Sequence, residues 1–151
     1  FNTFGPRQSA RAIIPTIISQ CHTNSDEIKL GNLTPTRDLT FVNDTCAGFL
    51  EIYNSDLFFG EVTNIGMNSE ISIGDLTLEI MKIMGVNVPI VTNNKRIRPE
   101  NSEVERLVCN NEKLLNNSKW EPQYNLGESL LETIEWFNKN SHLYKAELYN
   151  V

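Results

Sequence analysis

The chain has 151 residues, of which 40% are hydrophobic and 21% are charged, and its formal net charge is −6. This composition is typical of one modest globular core and excludes a disordered or fibrous protein. The acidic balance argues against a nucleic-acid partner, which needs clustered Lys and Arg, and no apolar run approaches the roughly 20 residues that a membrane span requires.

The cysteines do not predict a disulfide framework or a metal site. Cys21, Cys46 and Cys109 are widely spaced, odd in number and without a Cys-x-x-Cys pair. Such spacing is typical of free thiols in a reducing compartment. The cytoplasm is therefore the compartment that fits this sequence best.

Helix and strand patterns alternate from the start of the chain. Ser9 is placed to cap a helix that runs to about Cys21, and Pro15 should bend or delay this helix because proline lacks an N–H group. Short strands are expected at residues 27–30 and 39–42.

A second helix is expected after residue 42, with Asn43 as its N-cap. Its apolar residues fall at helical spacing, which indicates a single stripe that should face the core. The members of this stripe are Cys46, Phe49, Leu50 and Tyr53.

The second half of the chain continues the alternation. Strands are expected at residues 61–65 and 88–91, and between them a helix should begin after a capping box at Ser72 and stop at Gly85. A last helix should open at Asn125, with an inward face that comprises Leu130, Leu131, Ile134 and Phe137. This order of elements predicts the α/β class.

The arginines are more concentrated than the lysines. All six lie before residue 107, in three short segments: Arg7, Arg11, Arg37, Arg96, Arg98 and Arg106. A planar guanidinium can grip a phosphate with two parallel hydrogen bonds. From local sequence alone, however, the favoured interpretation of Arg37 is an ion pair with Asp38, and that of Arg98 is a solubilising basic turn.

Three segments, residues 2–18, 31–39 and 98–107, carry recognisable motifs. The first contains Asn-Thr-Phe-Gly-Pro-Arg-Gln, the second Pro-Thr-Arg-Asp, and the third Arg-Pro-Glu-Asn-Ser-Glu-Val-Glu-Arg. These segments resemble the extended short-chain dehydrogenase/reductases, the NAD-dependent nucleotide-sugar epimerases and dehydratases. Together they are most similar to the UDP-N-acetylglucosamine 4,6-dehydratases of the legionaminic acid type.

The resemblance implies an incomplete enzyme. Residues 1–151 would be the substrate-binding C-terminal portion: part of a doubly wound Rossmann-like domain with a small α/β lobe. The Gly-rich dinucleotide fingerprint, the Tyr-x-x-x-Lys pair and most of the NAD site would precede Phe1, where the chain starts within a motif and without Met. The parent protein would be a homodimeric enzyme of cell-surface polysaccharide biosynthesis.

The resemblance also implies site residues. Phe1 would lie beside the nicotinamide of NAD. The substrate contacts would come from the pyrophosphate ligands Asn2, Arg37, Arg98 and Asn101, the sugar-nucleotide wall Ala12 and Ile13, and the uracil neighbours Ile28, Lys29 and Leu30. No catalytic residue and no metal ligand are expected in this chain. Glu100, Glu103 and Glu105 are interpreted as a solvated acidic face, and Arg106 as a support for the Glu103 side of its segment.

The implied function is the nucleotide-sugar-binding half of an NAD-dependent UDP-sugar 4,6-dehydratase, inactive by itself. A UDP-sugar 4-epimerase and a UDP-glucuronate decarboxylase are alternatives within the same family. A non-catalytic sugar-nucleotide-binding fragment is an alternative from a different class.

Overall fold

Strands and helices alternate along the chain, as the sequence predicts for the α/β class. The computed structural model describes residues 1–23, 26–97 and 102–144. The strands are β1 Asn2–Phe4, β2 Ile28–Leu30, β3 Thr36–Arg37, β4 Leu39–Phe41, β5 Ile71–Ser72, β6 Ile90–Thr92 and β7 Arg106–Leu107. The α-helices are α1 Ile13–His22, α2 Val42–Tyr53, α3 Ile73–Met84, α4 Glu112–Asn117 and α5 Leu126–Lys139.

The strands form three small sheets in which parallel pairing predominates. β1 pairs with β4, and β2 pairs with β6, both in parallel. β3 lies between antiparallel β5 and parallel β7. Because parallel neighbours need a crossover connection, α1 follows β1 before the chain returns to β4. The predicted strand at residues 61–65 is wrong: this segment is irregular and its backbone joins none of these sheets.

Caps account for where α3 and α5 begin and end. The Ser72 hydroxyl accepts a hydrogen bond from the Asp75 N–H at 3.0 Å, and α3 stops at Gly85, whose φ of 67° is left-handed. Asn125 and Glu128 form a reciprocal capping box at the start of α5. These three signals are confirmed, since each satisfies backbone groups that a helix end leaves open.

The other two long helices begin elsewhere than predicted. α1 begins at Ile13 rather than after Ser9, which puts Pro15 in the first turn, where its missing N–H costs no helical bond. α2 begins at Val42, so Asn43 is a helical residue and not the cap. Its side-chain amide instead donates to the Tyr124 hydroxyl at 3.2 Å.

The main core lies between helices α1, α3 and α5 and the β1–β4 pair. Its aromatic centre is Phe4 against Phe41, and Leu130, Ile134 and Phe137 reach it from α5 as predicted. Leu131 does not, because its side chain is 49% exposed. A smaller cluster comprises Phe58, Ile65, Leu114 and Trp120.

The apolar stripe predicted for the core side of α2 faces outward instead. Phe49, Leu50 and Tyr53 are 63%, 62% and 80% exposed, and Cys46 is exposed too. The buried side of the helix is narrow and includes Asp44 and Gly48. Within the described residues, no helix is long and apolar enough to cross a membrane.

Two buried carboxylates hold backbone segments together. Asp38 accepts hydrogen bonds from the N–H groups of Met67 at 2.9 Å and Cys109 at 3.0 Å. Asp44 accepts from Gln123 at 2.9 Å and Tyr124 at 3.3 Å. Both are almost fully buried. Charge-assisted bonds of this kind can offset the cost of burying a carboxylate.

Gly31 permits a close backbone approach after β2. A Cβ atom at this position would lie 2.3 Å from the Arg96 carbonyl oxygen. The turn that carries Arg96 is also held by a hydrogen bond from the Asn93 N–H to the Leu30 carbonyl at 2.7 Å. A residue with a side chain at position 31 would therefore displace this turn.

We expect Asp38→Ala to lower the free energy of unfolding by about 3 kcal/mol, because two buried N–H groups lose their acceptor. Urea denaturation measures the change. Exposed Asp56→Ala is the control and should change stability by less than about 0.5 kcal/mol. Equal effects of the two variants would contradict the role given to Asp38.

We expect Gly31→Ala to cost about 1–3 kcal/mol in stability, because the added methyl group overlaps a backbone carbonyl rather than a flexible side chain. Gly74→Ala is the matched control, since its Cβ would meet no atom closer than 3.5 Å. Thermal unfolding compares the two variants. A Gly31→Ala protein as stable as the control would rule out the close approach.

Candidate functional site

One cavity of about 490 Å³ collects residues from several separated parts of the chain. Its walls come from β1, from the loop and first turn of α1, from the segment between β2 and β4, from Ile73 at the start of α3, and from Arg96 and Glu103. Its volume lies within the range of small-molecule sites, roughly 300–1,000 Å³.

Most of the predicted site residues line this cavity. Those that do are Phe1, Asn2, Ala12, Ile13, Leu30 and Arg37. Arg98 and Asn101 lie outside the described residues. Ile28 and Lys29 do not line the cavity: Ile28 is a core residue with no exposed area, and the Lys29 ammonium pairs with Glu27 at 3.0 Å.

The backbone of Lys29 is already paired. Its N–H donates to the Gln20 side-chain oxygen at 2.8 Å, and its carbonyl accepts from the Gln20 amide at 3.1 Å. Gln20 therefore continues β2 as a neighbouring strand would. Leu30 is the residue of this strand that reaches the cavity wall.

Positive charge predominates among the described side chains of the cavity. Arg11, Arg37 and Arg96 line it, together with the carboxylate of Glu103. Arg11 and Arg96 were not assigned to the site from the sequence, although both belong to the arginine-rich segments. An acidic protein can hold an anion here, because salt screens charges beyond roughly 8 Å and leaves nearby arginines dominant.

Arg37 is held in a defined orientation at the cavity wall. Its Nη1 donates to the carbonyls of Thr36 at 2.8 Å and Val104 at 2.6 Å, and its Nη2 donates to Glu103 Oε1 at 2.8 Å. The expected pairing with Asp38 is wrong, because Asp38 is turned inward to Met67 and Cys109. Arg37 instead bridges β3 to a segment 66 residues further along the chain.

Two buried polar atoms beside the cavity have no hydrogen-bond partner within the described residues. They are Asn2 Nδ2 and Gln8 Oε1. The Gln8 amide group donates to the Thr3 carbonyl at 3.0 Å, which fixes which end of the side chain is the acceptor. Because buried polar atoms are normally paired, both atoms are available to a polar ligand in the cavity.

Glu70, Cys21 and Cys109 lie outside the cavity lining and have shifted pKa values. Hydrogen bonds from Arg106, and then from Thr36, lower the pKa of the Glu70 carboxyl, so Arg106 supports Glu70 and not the Glu103 side. Burial raises the pKa of the Cys21 thiol to about 11, and burial with the nearby Asp38 carboxylate does the same for Cys109. At neutral pH both thiols are protonated and poor nucleophiles.

The described residues provide neither a metal site nor a dinucleotide site. No group of three or more His, Cys, Asp or Glu side chains in residues 1–23, 26–97 and 102–144 could hold a metal ion. The eight glycines of the sequence include no Gly-x-Gly pair, the feature that lets a backbone approach a dinucleotide pyrophosphate. Phe1, the residue expected beside the nicotinamide, lines the cavity.

Comparison with known proteins gives consistent relatives. The human dTDP-D-glucose 4,6-dehydratase is 29% identical over an alignment of 149 residues, and the match covers 95% of this chain and 41% of the relative. Among solved structures, an epimerase from Methanothermobacter thermautotrophicus has a TM-score of 0.84 at 26% identity. The match covers 95% of this chain and 43% of the epimerase chain.

The dTDP-glucose 4,6-dehydratase of Bacillus anthracis, solved in complex with NAD, has a TM-score of 0.79 at 26% identity. The match covers 95% of this chain and 44% of that structure. The chain thus spans about two-fifths of the length of the relatives it matches. These structures confirm the Rossmann-like α/β fold expected for this part of such enzymes.

The family model described as GDP-mannose 4,6 dehydratase matches residues 1–133, which is most of the chain. The matched range includes Asn2, Arg37, Arg96 and Glu103 of the cavity lining. The chain therefore belongs to the GDP-mannose 4,6 dehydratase family of nucleotide-sugar enzymes.

Proposed function

We propose that this chain is the nucleotide-sugar-binding portion of an NAD-dependent UDP-sugar 4,6-dehydratase with a substrate like UDP-N-acetylglucosamine. The observation that carries the proposal is a cavity of about 490 Å³ lined by Arg11, Arg37 and Arg96 in a chain of net negative charge. A pyrophosphate needs such donors, because they replace the water that it loses on entering a cleft.

Arg37 is the principal phosphate ligand in this proposal. Its side chain is mostly buried, and three hydrogen bonds to protein oxygens fix the plane of the guanidinium before any ligand arrives. A pre-oriented donor loses little entropy when it binds, which favours affinity. Asn2 also lines the cavity and adds a donor, since its buried amide nitrogen lacks a partner among the described residues.

The apolar lining would receive the rest of the ligand. Ala12 and Ile13 lie at the start of α1 and would contact the sugar side. Leu30 would cover the face of the uracil. The Lys29 backbone is already paired with Gln20, so the neighbouring residues Gly31 and Asn32 would lie at the edge of the base. Packing an aliphatic side chain on a base gives affinity with modest selectivity, so hydrogen bonds at its edge would set the choice of base.

The redox chemistry would be supplied by another portion of the protein. NAD, when bound, accepts and returns a hydride, while this chain orients the nucleotide sugar and excludes water around its phosphates. We propose that the cofactor-binding portion packs on the outward stripe of α2, whose exposed Phe49, Leu50 and Tyr53 form an apolar surface. The relatives, more than twice as long as this chain, have room for such a portion.

We expect Arg37→Ala to weaken UDP binding by about tenfold to a hundredfold, because one or two charge-assisted hydrogen bonds are lost. Arg37→Lys keeps the positive charge but not the forked pair of N–H donors, so its affinity for UDP should lie between those of Arg37→Ala and the wild type. Isothermal titration calorimetry measures the dissociation constants.

Arg106→Ala is the charge-matched control, since Arg106 pairs with Glu70 and does not line the cavity. Its affinity for UDP should stay within about twofold of the wild type. If Arg37→Ala bound UDP as tightly as Arg106→Ala does, Arg37 would not be a phosphate ligand. Product analysis with UDP-N-acetylglucosamine on the protein at its full natural length separates the dehydratase from the epimerase and decarboxylase alternatives.

A further inference from the structure

A carboxylate lies inside the arginine-lined cavity. Glu103 Oε1 is 2.8 Å from Arg37 Nη2, and both side chains are only 15% exposed. The sequence predicted Glu103 on a solvated acidic face, but the structure places it in the cavity wall with Arg37 and Arg96. A negative charge at this position opposes every phosphate that enters.

The orientation of Arg37 does not depend on the charge of Glu103. The two carbonyls of Thr36 and Val104 hold Nη1 at 2.8 and 2.6 Å. A neutral amide in place of the Glu103 carboxylate could still accept the bond from Nη2. The negative charge of Glu103 is therefore not needed to hold Arg37 in place, and it has a separate effect on the ligand.

Arg11, Arg37 and Arg96 line the cavity together with the Glu103 carboxylate. The arginines attract a diphosphate, whereas the carboxylate repels each further negative charge of the ligand. The diphosphate of a nucleotide sugar is esterified at both ends and carries one charge on each phosphate. A free nucleoside diphosphate or triphosphate carries more, because its terminal phosphate loses a second proton near about pH 6.

We propose that Glu103 is a specificity-determining residue, whose carboxylate makes the cavity prefer the doubly esterified diphosphate of a nucleotide sugar over free nucleoside di- and triphosphates. The proposal rests on the proposed function and adds a charge filter to the same site. Discrimination of this kind works by repelling the wrong ligand as much as by attracting the right one.

The test is a titration of wild type and Glu103→Gln with UDP-N-acetylglucosamine, UDP and UTP by calorimetry, without divalent cations, on the protein at its full natural length. Glu103→Gln should tighten UTP binding about tenfold, and UDP-N-acetylglucosamine binding by less than about threefold, since the repulsion grows with ligand charge. Glu105→Gln is the matched control: it removes the same charge two residues away, from an exposed side chain outside the cavity lining, and should leave the preference unchanged.

Two results would overturn the proposal. Equal changes for all three ligands, including no change, would show that Glu103 does not discriminate by charge. If Glu103→Gln binds all three ligands more weakly than the wild type does, Glu103 only positions Arg37.

Inorganic pyrophosphate and tripolyphosphate, titrated in parallel, separate this proposal from the proposed function. If Arg37→Ala leaves UDP-N-acetylglucosamine binding unchanged but Glu103→Gln still favours tripolyphosphate, the nucleotide-sugar assignment fails and the charge filter stands. If neither polyphosphate nor nucleotide binds the wild type, both proposals are wrong.

Discussion

The buried carboxylate of Asp38 is the interaction on which the rest of this structure depends. It binds the backbone of Met67 and of Cys109, and so joins the β3–β4 segment to two loops that are distant in sequence. Because Asp38 is turned inward, its neighbour Arg37 lies on the other side of the chain, at the wall of the cavity. The dipeptide Arg37-Asp38 thus ties two loops to the β3–β4 segment and places a guanidinium at the cavity wall.

Under the proposed function, an acidic chain builds its anion site from a few local charges. Its arginines come from three segments that the fold brings together, and Arg37 is fixed by backbone carbonyls that add no net charge. The local charge, not the charge of the whole chain, decides what enters, because screening separates the cavity from distant carboxylates. Glu103 then limits how much negative charge the cavity accepts.

The sequence predicted those features that depend on residues close together in the chain. Ser72, Gly85 and the Asn125–Glu128 pair mark helix ends through bonds within one turn, and the structure confirms them. The partner of Arg37 could not be predicted from the sequence, because Glu103 lies 66 residues away and local sequence offers Asp38 instead. The stripe on α2 was assigned to the wrong side because periodicity identifies an apolar face but not what covers it. Most of the site residues that the family resemblance implies line the cavity, whereas Ile28 and Lys29 do not.

The central claim is that the arginine-lined cavity holds the diphosphate of a nucleotide sugar. A crystal structure of the protein at its full natural length, grown with UDP-N-acetylglucosamine, tests this claim most directly. The account predicts phosphate oxygens within hydrogen-bond distance of Arg37 and of the Asn2 amide, with Leu30 against the face of the base. A nucleotide sugar bound elsewhere, with Arg37 still engaged only by Glu103, Thr36 and Val104, would contradict it.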